Sequence, residues 1–316
     1  MRSKVLALLA IGVIGAIAAG CGGDDATSGG DASAVGGNGG TITVDGSSTV
    51  GPYVTLASED FTIAGATTRV TVGISGTGGG FERFCKDETD ISNASRAIKD
   101  EEAALCKTGG VEFAELQIAN DGIAVVANTD NSWATCLTTA QLKKIWEPKS
   151  SVKRWKDVDA SFPDEEIKLF GPGTDSGTFD FFTKEINGEE GASRTDYQPS
   201  ENDNVVVEGV SGEKGGLGYF GLSYFEQNKD KLKDLAVDGG KGCIQPNSAT
   251  VQDATYAPLS RPLFVYVKKS SYARQEVKDF LTYMLANEAK IAEEALFVPL
   301  TPAQIETAKS GLAALG

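Results

Sequence analysis

The run IKLFGPGTDSGTFDFF, residues 167–182, reads as a strand that delivers the chain into a loop of small and hydroxyl-bearing residues and then into a helix. Two other stretches repeat that plan: Gly46-Ser47-Ser48-Thr49 follows the strand-like Thr41–Val44, and Ser75-Gly76-Thr77-Gly78-Gly79-Gly80 follows Arg69–Ile74. Small residues let backbone N–H groups come close to a ligand. The helix that follows adds its unpaired N-terminal amides and the positive end of its dipole. Hydroxyls of Ser48, Thr49, Ser75, Ser176 and Thr178 supply further donors, so the three loops together read as one anion site. A nucleotide site lacks its signatures, because Ser75–Phe81 does not fit G-x-G-x-x-G and the chain has no Gly-x4-Gly-Lys-Ser/Thr run.

Outward from these loops the elements alternate. Ile123–Ala127, Ile167–Phe170, Val205–Val207, Leu217–Phe220 and Leu263–Val267 join the first two strand candidates, several of them continuous apolar runs suited to a sheet covered on both faces. Thr138-x-x-Gln141 and Thr301-Pro302-Ala303-Gln304 fit the helix capping box, the second with Pro at the first helical position. Val277, Phe280, Leu281, Met284 and Leu285 recur at helical spacing and predict a core face. The alternation predicts an α/β architecture with its ligand at the carboxyl ends of strands. Thr41 to Gly316 suffices for one large or two medium domains.

Arg2 and Lys4 precede an apolar run from Val5 to Ala19 that closes in Ala18-Ala19-Gly20-Cys21, the three-part plan of a secretory signal over residues 1–20. The run falls short of the ~18 apolar residues a membrane span needs. Small residues before Cys21 resemble the processing site of bacterial lipoproteins, in which that Cys carries lipid. Residues 21–40 then form a flexible tether. The formal net charge of −15 argues against nucleic acid and against an anionic membrane surface as partners. An anionic ligand must therefore be held by local dipoles and a few placed charges.

Cys85, Cys106, Cys136 and Cys243 are an even set in an exported chain and read as two disulfides. Three pairings are open; Cys85–Cys106, close in sequence, with Cys136–Cys243 as a long-range clasp is favoured. Zinc is disfavoured by spacing and by the absence of any His, so no metal or other cofactor is expected. Lack of His also excludes Ser-His-Asp and Cys-His hydrolases, and no S-x-x-K signature supports a Ser-Lys nucleophile at Ser176.

Asp45-Gly46-Ser47-Ser48-Thr49-Val50, Asp90-Ile91-Ser92-Asn93-Ala94-Ser95-Arg96, Phe170 through Phe179, Gly218-Tyr219-Phe220-Gly221 and Arg261-Pro262-Leu263 follow one another in this order. Together they resemble the phosphate-binding proteins of bacterial high-affinity phosphate ABC importers, over nearly all of Thr41 to Gly316. The resemblance implies a two-lobed periplasmic-binding-protein fold of type II with the ligand in the interlobe cleft. Lobe one would be residues 41–120 plus 258–316 and lobe two residues 121–257. Closure would bring Ser48, Thr49 and Ser75 against Ser176, Gly177 and Thr178. The best-known members carry an Asp after the Ala-Ser of the second motif and an Arg shortly before Ser-Gly-Thr; here Arg96 and Pro172 stand there. Arg96 becomes the candidate cation, with a salt bridge to Asp90 or another carboxylate as the structural alternative. Asp175 is the first choice for the carboxylate that accepts the phosphate proton, ahead of Asp90 and Asp45.

The reading is a monomeric, exported receptor for inorganic phosphate, anchored to the outer face of the cytoplasmic membrane through Cys21, that serves the permease subunits of an ABC importer and is not an enzyme. The alternatives are a receptor for sulfate or molybdate, a sensor using the same cleft, and an exported phosphate-ester hydrolase.

Overall fold

The structure is a computed structural model that describes residues 39–174, 176–200 and 202–316. Cys21, the signal of residues 1–20, nearly all of the tether and Asp175 lie outside the described residues. The chain alternates through β1 (Thr41–Gly46), α1 (Gly51–Ile63), β2 (Arg69–Val72), α2 (Gly76–Cys85), β3 (Ile91–Ala94), α3 (Asp100–Thr108) and the long β4 (Phe113–Asn128). It continues through β5 (Cys136–Thr138), α4 (Thr139–Trp146), α5 (Trp155–Val158), β6 (Lys168–Pro172) and α6 (Gly177–Phe182), the last running into a π-helical turn over Thr183–Asn187. Then come β7 (Gln198–Ser200), α7 (Asp203–Gly212), β8 (Gly216–Gly221), α8 (Leu222–Gln227), β9 (Leu232–Asp238), β10 (Cys243–Ile244) and α9 (Ser248–Gln252). The chain returns through β11 (Ser260–Lys268) and ends in α10 (Lys269–Tyr272), α11 (Gln275–Ala286), α12 (Glu288–Glu294) and α13 (Pro302–Ala313).

One strand organises the α/β fold. The first part of β4, up to Gly122, pairs antiparallel with β11, which continues through β3 to the parallel strands β1 and β2. From Ile123 onward β4 pairs instead with β8 and β9, and β8 leads to the parallel β6 and β7. The composition suits both roles: Leu116 and Ile118 alternate with Glu115 and Gln117 in the first part, whereas Ile123–Ala127 is buried throughout.

Two separate cores lie on either side of this change of partner. One packs Ile42, Val44, Tyr53, Phe61, Phe280 and Met284 around β1, α1 and α11; the other packs Trp146, Trp155, Phe182, Tyr219 and Phe220 around the second part of β4. Burying each such side chain contributes roughly 1.5–3 kcal/mol or more. The molecule is thus two-lobed. The two disulfides are Cys85–Cys106 and Cys136–Cys243, the favoured pairing; the first backs a small cluster of Phe81, Phe84 and Tyr266.

Both capping boxes form: Thr138 Oγ1 accepts from Gln141 N and Thr301 Oγ1 from Gln304 N. The five apolar residues of α11 are all buried. Val205–Val207 is a correction, being helical inside α7 rather than a strand. Asn202 caps that helix through Asn204 N, and Val206, Val207 and Val210 form its buried face, so packing outweighs the β-branched preference.

Candidate functional site

Each of the three small-residue loops leaves the carboxyl end of a strand and enters a helix. At the end of β1, Gly46 lies flat on β3, since a Cβ there would sit 2.2 Å from Asn93 O. Ser47 then turns the chain: its amide donates to Asn93 O at 2.9 Å, and its carbonyl accepts from Gly51 N at the head of α1. The loop before α2 is tied to the same point through the buried Asp45, whose Oδ1 accepts from Gly46 N (2.7 Å) and Ser75 N (3.1 Å) while Oδ2 pairs with Arg83. Gly80 closes the joint, because a Cβ on it would lie 2.5 Å from Gly46 Cα.

The third loop faces these two from the other lobe. Ser176 Oγ accepts from Thr178 N at 3.2 Å and caps α6, and the Tyr197 hydroxyl donates to Pro172 O at 2.8 Å. Gly177 meets the opposite wall: a Cβ there would stand 2.5 Å from Thr49 Oγ1 and 3.3 Å from Thr49 Cα. Between the walls lies a cleft of about 660 Å³.

The cleft is lined from lobe one by Ser47, Ser48 and Thr49, by Gly76, Thr77 and Gly78 at the head of α2, and by Ser95 and Arg96 after β3. From the other side come Gly177, Asp180, Phe181 and Lys184. Thr77 Oγ1 and Ser95 Oγ are 3.1 Å apart, adding a hydroxyl pair at the head of α2. Of the site residues expected from sequence, Ser48, Thr49, Arg96 and Gly177 line the cleft. Ser75, Ser176 and Thr178 are not among the lining residues and stand at the starts of α2 and α6. Asp175 lies outside the described residues. The fallback carboxylates are both engaged elsewhere: Asp45 as above, and Asp90 with Thr43 N, Ser271 Oγ and Arg274.

Four cationic side chains, Arg96, Lys99, Lys184 and Arg261, gather at the cleft beside the acidic Asp180, Glu185 and Glu190. Arg96 is gripped by Glu102 rather than Asp90, through Nη1 at 2.8 Å and Nη2 at 2.7 Å. That pairing holds the Arg96 guanidinium above its ordinary pKa. Burial pushes the Asp180 carboxyl up, with Glu190 adding to the shift and Arg261 opposing it. Such a carboxyl holds a proton more readily than a solvated one.

Arg261 is the residue that sequence reasoning missed. Its Nε donates to Asp121 Oδ2 (3.0 Å), its Nη2 to Thr49 Oγ1 (3.1 Å) and, at 3.5 Å, to Gly177 O, and its guanidinium lies 3.9 Å from the Phe181 ring centroid. The signal available was Arg261-Pro262 at the head of an apolar strand, where a charge needs a partner. Among the described residues no helix is long and apolar enough to cross a membrane, and no cluster of three metal-ligating side chains occurs.

Comparison with known proteins shows the family. A profile described as a PBP superfamily domain matches residues 31–288. Protein SphX of Synechococcus elongatus is 44% identical over 270 residues, covering 84% of this chain and 79% of its own. Phosphate-binding protein PstS of Staphylococcus saprophyticus is 42% identical over 266 residues, 83% of this chain and 81% of its own. A crystal structure of a possible phosphate binding protein from Planctomyces limnophilus superposes with a TM-score of 0.83 at 43% identity, covering 88% of this chain and 99% of that one. The chain belongs to the PBP superfamily and, within it, to the phosphate-binding-protein family.

Proposed function

We propose that this member of the phosphate-binding-protein family captures inorganic phosphate in the interlobe cleft and delivers it to the permease of an ABC importer. It works outside the cytoplasm, anchored by lipid on Cys21, and performs no chemistry on its ligand. The observation that carries the reading is the convergence of three strand-to-helix turns on one cleft where four cations gather, in a chain of net charge −15. Amides and hydroxyls at helix starts suit a tetrahedral oxyanion. Ser48, Thr49, Ser75 and Arg96 would contact it from lobe one, and Asp175, Ser176, Gly177 and Thr178 from lobe two.

The lobes are residues 41–120 plus 258–316 and residues 121–257, a division supported by the two cores and by the change of partners along β4. Closure about β4 and the return into β11 would press Gly177 and Thr49 onto the ligand.

Near neutral pH phosphate keeps a proton that sulfate lacks. An ionised carboxylate in the cleft accepts a hydrogen bond from that proton and repels a fully deprotonated anion, a discrimination of roughly tenfold or more. Titration calorimetry with phosphate, sulfate and molybdate tests this. Phosphate is expected to bind at least about tenfold more tightly than sulfate, and Asp175→Asn to narrow the gap. Preference for sulfate in the wild type overturns the phosphate assignment; unchanged selectivity in Asp175→Asn removes Asp175 from the role.

A further inference from the structure

We propose that Arg261, held by Asp121, is the principal cation for the anion and the latch that joins the two walls of the cleft. The inference rests on the phosphate reading and names the residue that makes it selective for the closed form.

Arg261 stands directly opposite Asp121 in the β11–β4 ladder, one residue before the point where β4 exchanges β11 for β8 as its partner. Both side chains are largely buried, at 13% and 7% exposure. From this shared strand the guanidinium touches both walls: Thr49 Oγ1 in lobe one, and Gly177 O with the Phe181 ring in lobe two. A residue that reaches both walls from the hinge gains contacts only when the walls are close.

The two cleft arginines differ in what they have left to give. Arg96 commits both Nη atoms to Glu102. In Arg261, Nε and Nη2 both lie 3.0 Å from one oxygen of Asp121, Nη2 also reaches the Thr49 hydroxyl and, at a long 3.5 Å, the Gly177 carbonyl, and Nη1 has no hydrogen-bond partner among the described residues. The two acceptors on the cleft walls, Thr49 Oγ1 and Gly177 O, are neutral, and a charge-assisted bond to an anionic oxygen is roughly twice as strong. An anion arriving between Thr49 and Gly177 therefore exchanges weak acceptors for a strong one. Asp121 and the Phe181 face fix the plane of the fork beforehand, which lowers the ordering cost of binding.

The test is phosphate calorimetry on wild type, Arg261→Gln, Arg261→Lys, Arg96→Gln and Arg261→Ala, with a thermal melt of each. Arg261→Gln is expected to weaken phosphate roughly 100-fold, and Arg261→Lys, which keeps charge without the fork, about tenfold. Arg96→Gln should cost less than Arg261→Gln. In Arg261→Ala, millimolar guanidinium should restore much of the lost affinity without raising the melting temperature, which a purely structural arginine would not allow. If Arg261→Gln fails to fold, Arg261→Lys and the guanidinium rescue decide. Phosphate binding by Arg261→Gln or Arg261→Lys within about threefold of wild type, or absence of rescue, overturns the proposal while leaving the phosphate reading intact. A wild type that does not bind phosphate fails the underlying reading first.

Discussion

The turns after β1 and β2 are held from behind by a buried carboxylate, whereas the turn after β6 is braced within its own lobe, among the described residues, by neutral groups. Asp45 gathers two backbone amides and Arg83; its counterparts in lobe two are Ser176 Oγ, the Tyr197 hydroxyl and the Gly173 amide bonded to Ser200 O. A neutral hydrogen bond contributes about 1 kcal/mol net and can be lost singly, but removing the carboxylate strands the buried Gly46 amide and releases Ser75 N and Arg83 at the same time. The lobe-one wall is built as a unit. The lobe-two wall is a set of separable contacts, as suits the side that would close on the other in the proposed function.

The disulfides carry the contrast into the scaffold, and the largest effect is expected there. Cys85–Cys106 joins α2 to α3 across a separation of 21 residues, while Cys136–Cys243 joins β5 to β10 on either side of β9 across 107. If chain entropy governs, losing the long clasp costs about 4–5 kcal/mol and losing the short one about 3 kcal/mol. Urea unfolding of the two double Cys→Ser variants measures both. Equal losses would show that loop length is not what distinguishes the lobes.

Buried charge sharpens the comparison further. In lobe two Arg194 is almost wholly buried yet every guanidinium nitrogen has a partner, from both oxygens of Asp196 and from Ile145 O and Val152 O. Those bonds to Arg194, with Lys153 assisting, hold the Asp196 carboxyl well below the usual range. In lobe one Glu288 accepts from Leu300 N through Oε1, but its Oε2 has no partner among the described residues, and neither has the Tyr53 hydroxyl nearby. Burial pushes the Glu288 carboxyl up from 4.5 to about 7. A raised carboxyl binds its proton more tightly folded than unfolded, so stability should fall as pH rises from about 4.5 towards 7 and level off above. The swing is of order 2–3 kcal/mol. Melting curves from pH 5 to 8 without phosphate should show it, and Glu288→Gln should flatten it. With no His in the chain, an unchanged slope in that variant would acquit Glu288.

Local rules made much of this legible. The capping boxes at Thr138 and Thr301, the apolar face of α11 and the strand–loop–helix plan of all three binding turns each depend on a few neighbouring residues. Val205–Val207 points to a strand yet forms a helix because three β-branched residues say nothing about which face will be covered. In β4 the continuous apolar run Ile123–Ala127 is plain in the sequence, whereas the alternation before it is faint, with only Leu116 and Ile118 marking one face. Arg261 was out of reach for a different reason. Its role comes from meeting Asp121 at a separation of 140 residues and Thr49 at 212, and strand register between distant segments is not written in local pattern.

Two glycines put the difference between the walls to its finest test. Gly80 and Gly177 both stand where a Cβ would come within 2.5 Å of another atom. For Gly80 that atom is the backbone Cα of Gly46, inside the lobe-one wall; for Gly177 it is the Thr49 hydroxyl, across the cleft. Gly80→Ala must therefore separate α2 from β1, an overpacking cost of roughly 1–3 kcal/mol that thermal unfolding should register. Gly177→Ala meets its obstacle only when the walls approach, so the open form escapes it. Its melting temperature without ligand should change little, while phosphate affinity falls about tenfold, equivalent to ~1.4 kcal/mol. Thr49→Ala removes the hydroxyl in the way, so adding it to Gly177→Ala should cost less affinity than it costs the wild type. A double variant in which the two losses simply add would place the Gly177 effect inside its own helix and not between the walls. A Gly177→Ala protein as destabilised as Gly80→Ala would erase the distinction between a wall built as a unit and one built to close.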